Sequence, residues 1–218
     1  MALAKIGKIQ LYYETHGEGI PLVLIAGLAS DSQSWQPVMA DLAARHHVIV
    51  PDNRGVGRTV LQDTEISISR IADDCIELIR YLGLPSVNLL GHSMGGFVAL
   101  DIAIRYPGFV TQLILAATSA SNSKRNNALF SDWVLGLKSG IDPAAWFQNM
   151  FYWIFTTRFF EKAENLREAL QFAVDYPYPQ SAFAFEKQVN AIAAYDATEN
   201  LSRIKAKTLV IGGKEDIL

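Results

Sequence analysis

Residues 91–96 read Gly-His-Ser-Met-Gly-Gly and follow a short apolar run, Ser-Val-Asn-Leu-Leu at 86–90. Behind them, residues 97–104 (Phe-Val-Ala-Leu-Asp-Ile-Ala-Ile) have the pattern of a buried helix. A G-x-S-x-G pentapeptide set between a strand and a helix forms a sharp turn that lifts its serine out of the backbone. The hydroxyl of Ser93 is therefore a candidate nucleophile. Gly91 and Gly95 carry no side chain because strand and outgoing helix crowd each other at such a turn. A serine held at positive φ is costly, so a turn of this kind normally has a function.

A serine hydroxyl attacks a carbonyl only if a base takes its proton, an acid orients that base, and donors meet the developing oxyanion. Two backbone N–H groups are candidates for the oxyanion hole. One is that of Met94, directly after the nucleophile at a helix N-terminus; the other is that of Leu28, after Ala26 and Gly27 at the end of an apolar run. The candidate acid is Asp216, in Gly-Gly-Lys-Glu-Asp at 212–216, beyond the last apolar run. Glu215 is one residue off and points elsewhere, and the Ala-Thr-Ser-Ala of residues 117–120 offers no acid.

None of the four histidines suits the role of base. His92 adjoins Ser93, but successive residues at a strand end point to opposite sides. His46 and His47 precede a strand, at the wrong end of a sheet, and His16 belongs to an early hairpin. The loop from Asp52 to Arg58 has glycines but neither G-x-G-x-x-G spacing nor a P-loop Lys-Ser/Thr, so it reads as a turn with Arg54 in a structural hydrogen bond. No Cys, His and carboxylate cluster has metal-ligand spacing. Neither a metal nor an organic cofactor is expected.

The elements that must position these groups alternate. An alternating strand over residues 9–14 is followed by continuous apolar runs at 21–25, 48–50, 86–90, 113–117 and 208–212, as expected for strands buried on both faces. Helical patterns fall between them. One carries Trp35, Val38, Met39, Leu42 and Ala43; a longer one, ended by Gly83, carries Ile68, Ile71, Ala72, Cys75, Ile76, Leu78, Ile79 and Leu82. Strands alternating with helices imply a mostly parallel sheet. Residues 120–195 break the rhythm: they are helical by pattern and hold three of four Trp, nine of eleven Phe and four of eight Tyr. That stretch reads as an inserted cap, giving a first core part at 1–119, the cap at 120–195 and a continued core at 196–218.

The chain has 218 residues, half of them hydrophobic, enough for one sizeable core. A net charge of −3 with no basic stripe argues against nucleic acid. The single cysteine excludes an intrachain disulfide framework. The N-terminal hexapeptide lacks a secretory core, and no apolar stretch reaches the roughly 20 residues a membrane span requires. These features lead us to expect a cytoplasmic protein; its oligomeric state is not legible.

Taken together, the residues around 26–28, 52–57, 91–95 and 212–216 resemble the α/β-hydrolase fold family, in the family's order and across nearly the whole chain. The detail is most similar to small esterases and 3-oxoadipate enol-lactonase-like hydrolases. The resemblance implies an α/β-hydrolase fold: an eight-stranded, mostly parallel sheet flanked by helices, with a helical cap after the sixth strand that shapes the substrate pocket. It also implies a Ser-Asp-His triad in that chain order. Ser93 and Asp216 fill the first two places, and the catalytic histidine is expected beyond residue 218. On this reading the C-terminal strand, histidine loop and last helix are absent from the 218 residues, the strand holding Thr208 is left as a bare apolar edge, and these residues alone are inactive. The family often has His-Gly where this chain has Ala26-Gly27, and that histidine usually braces the oxyanion loop.

The implied reaction is hydrolysis of a carboxylic ester or lactone through an acyl-enzyme. The substrate is a small apolar ester, with Trp133, Trp146, Phe147, Phe151, Trp153 and Phe155 as cap residues walling the pocket. Carbon–carbon bond hydrolysis on the same fold, or a non-catalytic binding module, are the alternatives.

Overall fold

The computed structural model describes residues 2–61 and 65–218; Met1, the first residue of the N-terminal hexapeptide, lies outside the described residues. The first half of the chain runs β1 (Ala2–Ile6), β2 (Ile9–His16), β3 (Ile20–Ile25), α1 (Gln36–Ala43), β4 (His46–Pro51), β5 (Val60–Leu61) and α2 (Ile68–Tyr81). β6 (Val87–His92), α3 (Met94–Arg105) and β7 (Val110–Ala116) follow. Five helices come next: α4 (Lys124–Lys138), α5 (Pro143–Ile154), α6 (Thr157–Phe160), α7 (Ala163–Val174) and α8 (Ala182–Ala194). The chain returns to the sheet in β8 (Lys207–Ile211).

The eight strands form one sheet in the order β1-β2-β4-β3-β6-β7-β8, with β5 paired to β2. From β4 to β8 every neighbouring pair is parallel; β1 and β2 are antiparallel additions at one side. The sheet reaches eight strands through β1 and the two-residue β5, neither of which has a long enough alternating run to be read from sequence.

Side-chain parity explains why the central strands read as continuous apolar runs. Leu22 and Leu24 of β3 pack with Val48, Val50 and Met39 toward α1, whereas Val23 and Ile25 face the larger core with α2 and α3. On α2 the anticipated stripe is buried from Ile68 to Ile79, and Gly83, at φ 68°, follows its C-cap. Cys75 lies within that stripe, where burial pushes its thiol pKa up. Arg54, in the loop after β4, is wholly buried and forks onto Asp74 of α2, Nε to Oδ2 at 2.5 Å and Nη2 to Oδ1 at 3.0 Å.

β3 lies between β4 and β6, so the chain winds one way from β3 to β4 and the other way from β6 outward. Ligands of open parallel sheets bind beyond the strand ends at such a reversal. Pairing of Ile25 with Gly91 brings the loops after β3 and β6 side by side there.

The helices α4–α8 fill the stretch between β7 and β8, and its two ends meet at one neck. Ser121 bridges Asp196 there, and the Ala197 N–H donates to the Ala120 carbonyl at 2.9 Å. At the far edge, β8 pairs with β7 and leaves Leu209, Val210 and Ile211 about half to two-thirds exposed (55, 67 and 49 %). Among the described residues no helix is long and apolar enough to cross a membrane.

Candidate active site

Ser93 sits at φ 53°, ψ −120°, between the last residue of β6 and the first of α3. The glycines around it have no room for a side chain. A Cβ on Gly91 would lie 2.3 Å from the Gly95 carbonyl oxygen, and one on Gly95 would lie 2.0 Å from that of Ile25. The turn is held by Ser93 N–H donating to Ala116 O (3.0 Å), and by Gly96 N–H (2.8 Å) and Thr118 Oγ1 (2.9 Å) donating to Ser93 O.

Among the described residues three non-glycine residues have positive φ: Ala29 (58°), Ser93 (53°) and Ala117 (48°). They lie on the loops after β3, β6 and β7, all at the carboxyl ends of neighbouring strands. Such conformations cost on the order of 1–3 kcal/mol each and persist where the surroundings over-determine them. Among the described residues, positive-φ strain outside glycine is thus gathered around one serine.

Gly27 packs against that serine: a Cβ built on it would be 3.2 Å from Ser93 Cβ and 3.4 Å from His92 Nδ1. The Ala26–Gly27–Leu28 turn is therefore beside Ser93. Among the described residues neither the Leu28 N–H nor the Met94 N–H has a hydrogen-bond acceptor. Asn53 Nδ2 donates to Ala26 O at 3.1 Å and holds the start of the loop.

A cavity of about 670 Å³ opens over the serine and is lined by Ser93, Met94 and Asp216 together. Phe97, Phe130 and Ile192 give it an apolar wall. Ser119, Ser121, Asn122, Ser123, Arg125 and Asn126 make the side facing the neck polar. Asp216 is exposed and locally held: its N–H donates to Gly213 O (3.3 Å), and its Oδ1 accepts the Leu218 N–H (3.2 Å).

The six cap aromatics expected to wall the pocket do not line this cavity. Trp133 stacks behind Phe130 at 5.1 Å and donates to Asn149 Oδ1. Trp146 donates to the Trp133 carbonyl and meets Phe185 edge-on. Phe147, Phe151 and Phe155 run as a ladder of ring contacts 6.1 and 5.2 Å apart along α5 and its end, and Trp153 lies under the Arg125 guanidinium at 5.4 Å. These rings hold α4, α5 and α8 to one another. The aromatic wall is supplied instead by Phe97 and Phe130. Phe97 is hidden in sequence within the elbow helix, and Phe130 carries no mark to set it apart from its cap neighbours.

No histidine nitrogen is hydrogen-bonded to Ser93 among the described residues. His16 pairs with Glu14, His46 Nδ1 contacts Leu42 O, and His92 meets the Trp35 ring edge-on at 6.3 Å. Loss of water around His92 lowers its pKa, against the opposing charge of Asp216. Nor do the described residues hold a group of three or more His, Cys, Asp or Glu side chains that could take a metal ion.

A strained serine after a parallel strand, at the sheet's winding reversal, is the arrangement of a known family, whose description, α/β-hydrolase fold, matches residues 20–218. The chain belongs to the α/β-hydrolase fold family. It is 30 % identical to a protein of Azorhizobium caulinodans named as a carbamate hydrolase, RutD, over all of this chain and 82 % of that protein. It is similar in structure to a thermophilic esterase from Thermogutta terrifontis, with a TM-score of 0.81 at 26 % identity, covering 97 % of this chain and 77 % of that one. The enol-lactonase from Burkholderia xenovorans LB400 shares the fold, with a TM-score of 0.84 at 22 % identity over 97 % of this chain and 81 % of that one.

Proposed function

We propose that this α/β-hydrolase acts as a serine hydrolase on a carboxylic ester or lactone. The observation that carries the reading is Ser93 itself: forced to φ 53° beside the unpartnered N–H groups of Leu28 and Met94, in a cavity it shares with Asp216. Ser93 Oγ adds to the substrate carbonyl as a base removes its proton. The negative charge that builds on the carbonyl oxygen is met by the two N–H donors, fixed before the reaction and costing no reorganisation during it. The tetrahedral adduct collapses to an acyl-enzyme as the base returns its proton to the leaving alcohol. Water then enters by the same route, and Ser93 is released.

The base is assigned to a histidine outside residues 1–218, oriented by Asp216, because the four in the chain are engaged elsewhere or on the wrong side of their strand. Without it the 218 residues turn over slowly at best, since loss of one triad member costs on the order of 10⁴ to 10⁶ in rate. The two-sided cavity favours a substrate with a short apolar part against Phe97, Phe130 and Ile192 and a polar part toward Arg125 and Asn126. The relatives named as carbamate hydrolases favour a second reading, in which the same serine attacks a carbamate carbonyl.

Hydrolysis of p-nitrophenyl acetate and butyrate by the protein that carries the base, with and without Ser93→Ala, tests the reading. A loss of at least about 10⁴ in kcat is expected; equal rates refute it.

A further inference from the structure

The oxyanion loop of this chain is braced from the cap. We propose that Gln188, on α8, is a positioning residue that fixes the loop carrying the Leu28 N–H, so that this donor is set only while the cap is seated. The catalytic consequence rests on the ester-hydrolase reading; the brace rests on geometry alone.

Gln188 has no exposed surface. Its Oε1 accepts from the Ala29 N–H at 3.4 Å and from Gln180 Nε2 at 3.0 Å, and its Nε2 donates to the Arg54 carbonyl at 2.8 Å. One amide thus joins the loop after β3, the loop after β4 and the strap that leads into α8. Ala29 directly follows Leu28 and is held at φ 58°, a region that alanine leaves unless something prevents it. Within the loop, Ser30 N–H to Gly27 O (3.3 Å) and Ser30 Oγ to Leu28 O (3.3 Å) close the turn upon itself. Among the described residues the hydrogen bond to residues 27–30 from outside the loop is the one from Gln188.

The side-chain type fits the task. Ala29 needs an acceptor and Arg54 O needs a donor, and an amide supplies both. An apolar side chain of equal size would take this acceptor from the half-buried Ala29 N–H and this donor from the Arg54 carbonyl. The rest of the inward stripe of α8 (Ala184, Phe185, Val189, Ala191 and Ile192) is apolar, so a glutamine in its middle needs such partners. Ile192, one turn further on, stands in the wall of the Ser93 cavity. The helix that meets the substrate is therefore the helix that holds the loop, and a displacement of α8 on either account is felt by both.

The test uses Gln188→Met, close in volume but without any of the three hydrogen bonds. Amide hydrogen exchange read by NMR should show protection at Ala29 falling at least tenfold, with the amides of β6 and α3 unchanged. In the protein that carries the base, kcat for p-nitrophenyl butyrate should fall ten- to a hundredfold at constant KM, whereas Ile192→Ala should move KM. If Gln188→Met does not fold, Gln188→Asn, too short to span both loops, gives the same readouts. Unchanged protection at Ala29 overturns the brace, and lost protection with unchanged kcat overturns its role in catalysis. If the unmutated protein hydrolyses no ester while Gln188→Met still frees Ala29, the brace stands and the ester-hydrolase reading falls.

Discussion

The centre of the sheet and its β8 edge treat their functional residues in opposite ways. At the ends of β3, β6 and β7 the backbone around Ser93 is confined: two glycines without room for a Cβ, three residues at positive φ, and the loop after β3 tied by Asn53 and Gln188. At the edge, all five residues of β8 are exposed, Gly212 has open space around it, and Asp216 is bonded to residues of its own turn. On the proposed reading, Ser93 and the Leu28 and Met94 N–H groups are preorganised by the fold, whereas Asp216 relies on the histidine it would orient. A site divided in this way should separate effects on stability from effects on rate, depending on which side is mutated.

The sharpest separation is expected from Asp216→Asn. In the protein that carries the base it should lower kcat on the order of 10⁴, because a triad acid sets the tautomer of the histidine. Its urea unfolding curve should shift by less than about 0.5 kcal/mol, as for an exposed site. A large loss of stability would break the contrast, and an unchanged kcat would remove Asp216 from the triad.

The converse substitution is Gly95→Ala. With 2.0 Å between the new Cβ and Ile25 O, a backbone atom, either the strand or the helix must move. A loss of about 4 kcal/mol or more is expected, the scale of severe overpacking and backbone strain. Gly212→Ala, with nothing within 4 Å, should cost less than about 0.5 kcal/mol. Both are read from urea midpoints, and comparable costs at the two glycines would refute the division.

The helices between β7 and β8 offer a third comparison. Trp146→Ala should cost about 3–5 kcal/mol, the range for deletion of a buried Trp, and leave KM alone, because its ring packs on Phe147 and Phe185 away from the cavity. Phe130→Ala should change KM, since its ring forms part of the cavity wall. The reverse pattern in steady-state kinetics would mean that the packing aromatics of α4 and α5 meet the substrate.

The same contrast governs what could be read from sequence. The elbow was legible because its chemistry is local: a strand, a turn with two obligatory glycines and a helix are contiguous, and Ser93 has the φ such a turn demands. The parallel order of the sheet followed from alternation of short apolar runs with helical stripes. The cavity wall was not legible, because an inward-facing Phe130 and a packing Trp146 sit at the same helical periodicity and differ only in what lies opposite. β1 carries no legible signal because its alternation covers only five residues, two of them buried. Gln188 left a usable sign, a lone amide in an apolar stripe, although its partners 134 and 159 residues away could not be named from it.

The smallest expected effect concerns Asp31, a buried acid on the confined side. It caps the short helical turn Ser32–Trp35 through Gln33 N–H and takes a hydrogen bond from Tyr176, between α7 and α8. Burial raises its pKa above the ordinary 3.8, more than the bonds from Tyr176 and Gln33 lower it; the charge of Asp52 adds to the rise and Arg58 opposes it. A carboxyl that holds its proton more tightly when folded lends stability in full below its unfolded pKa, and that contribution is lost as pH rises through the folded value. The side-chain amide introduced by Asp31→Asn cannot ionise, yet it can still cap the turn and meet the Tyr176 hydroxyl. Between about pH 4 and neutrality the wild type should therefore lose stability relative to Asp31→Asn, by no more than roughly 1 kcal/mol. Urea midpoints of the two proteins at one-unit steps of pH give the difference directly. A gap that stays level would show that the carboxylate is already compensated in the fold, and that the join between Tyr176 and the loop after β3 tolerates charge as freely as the exposed edge does.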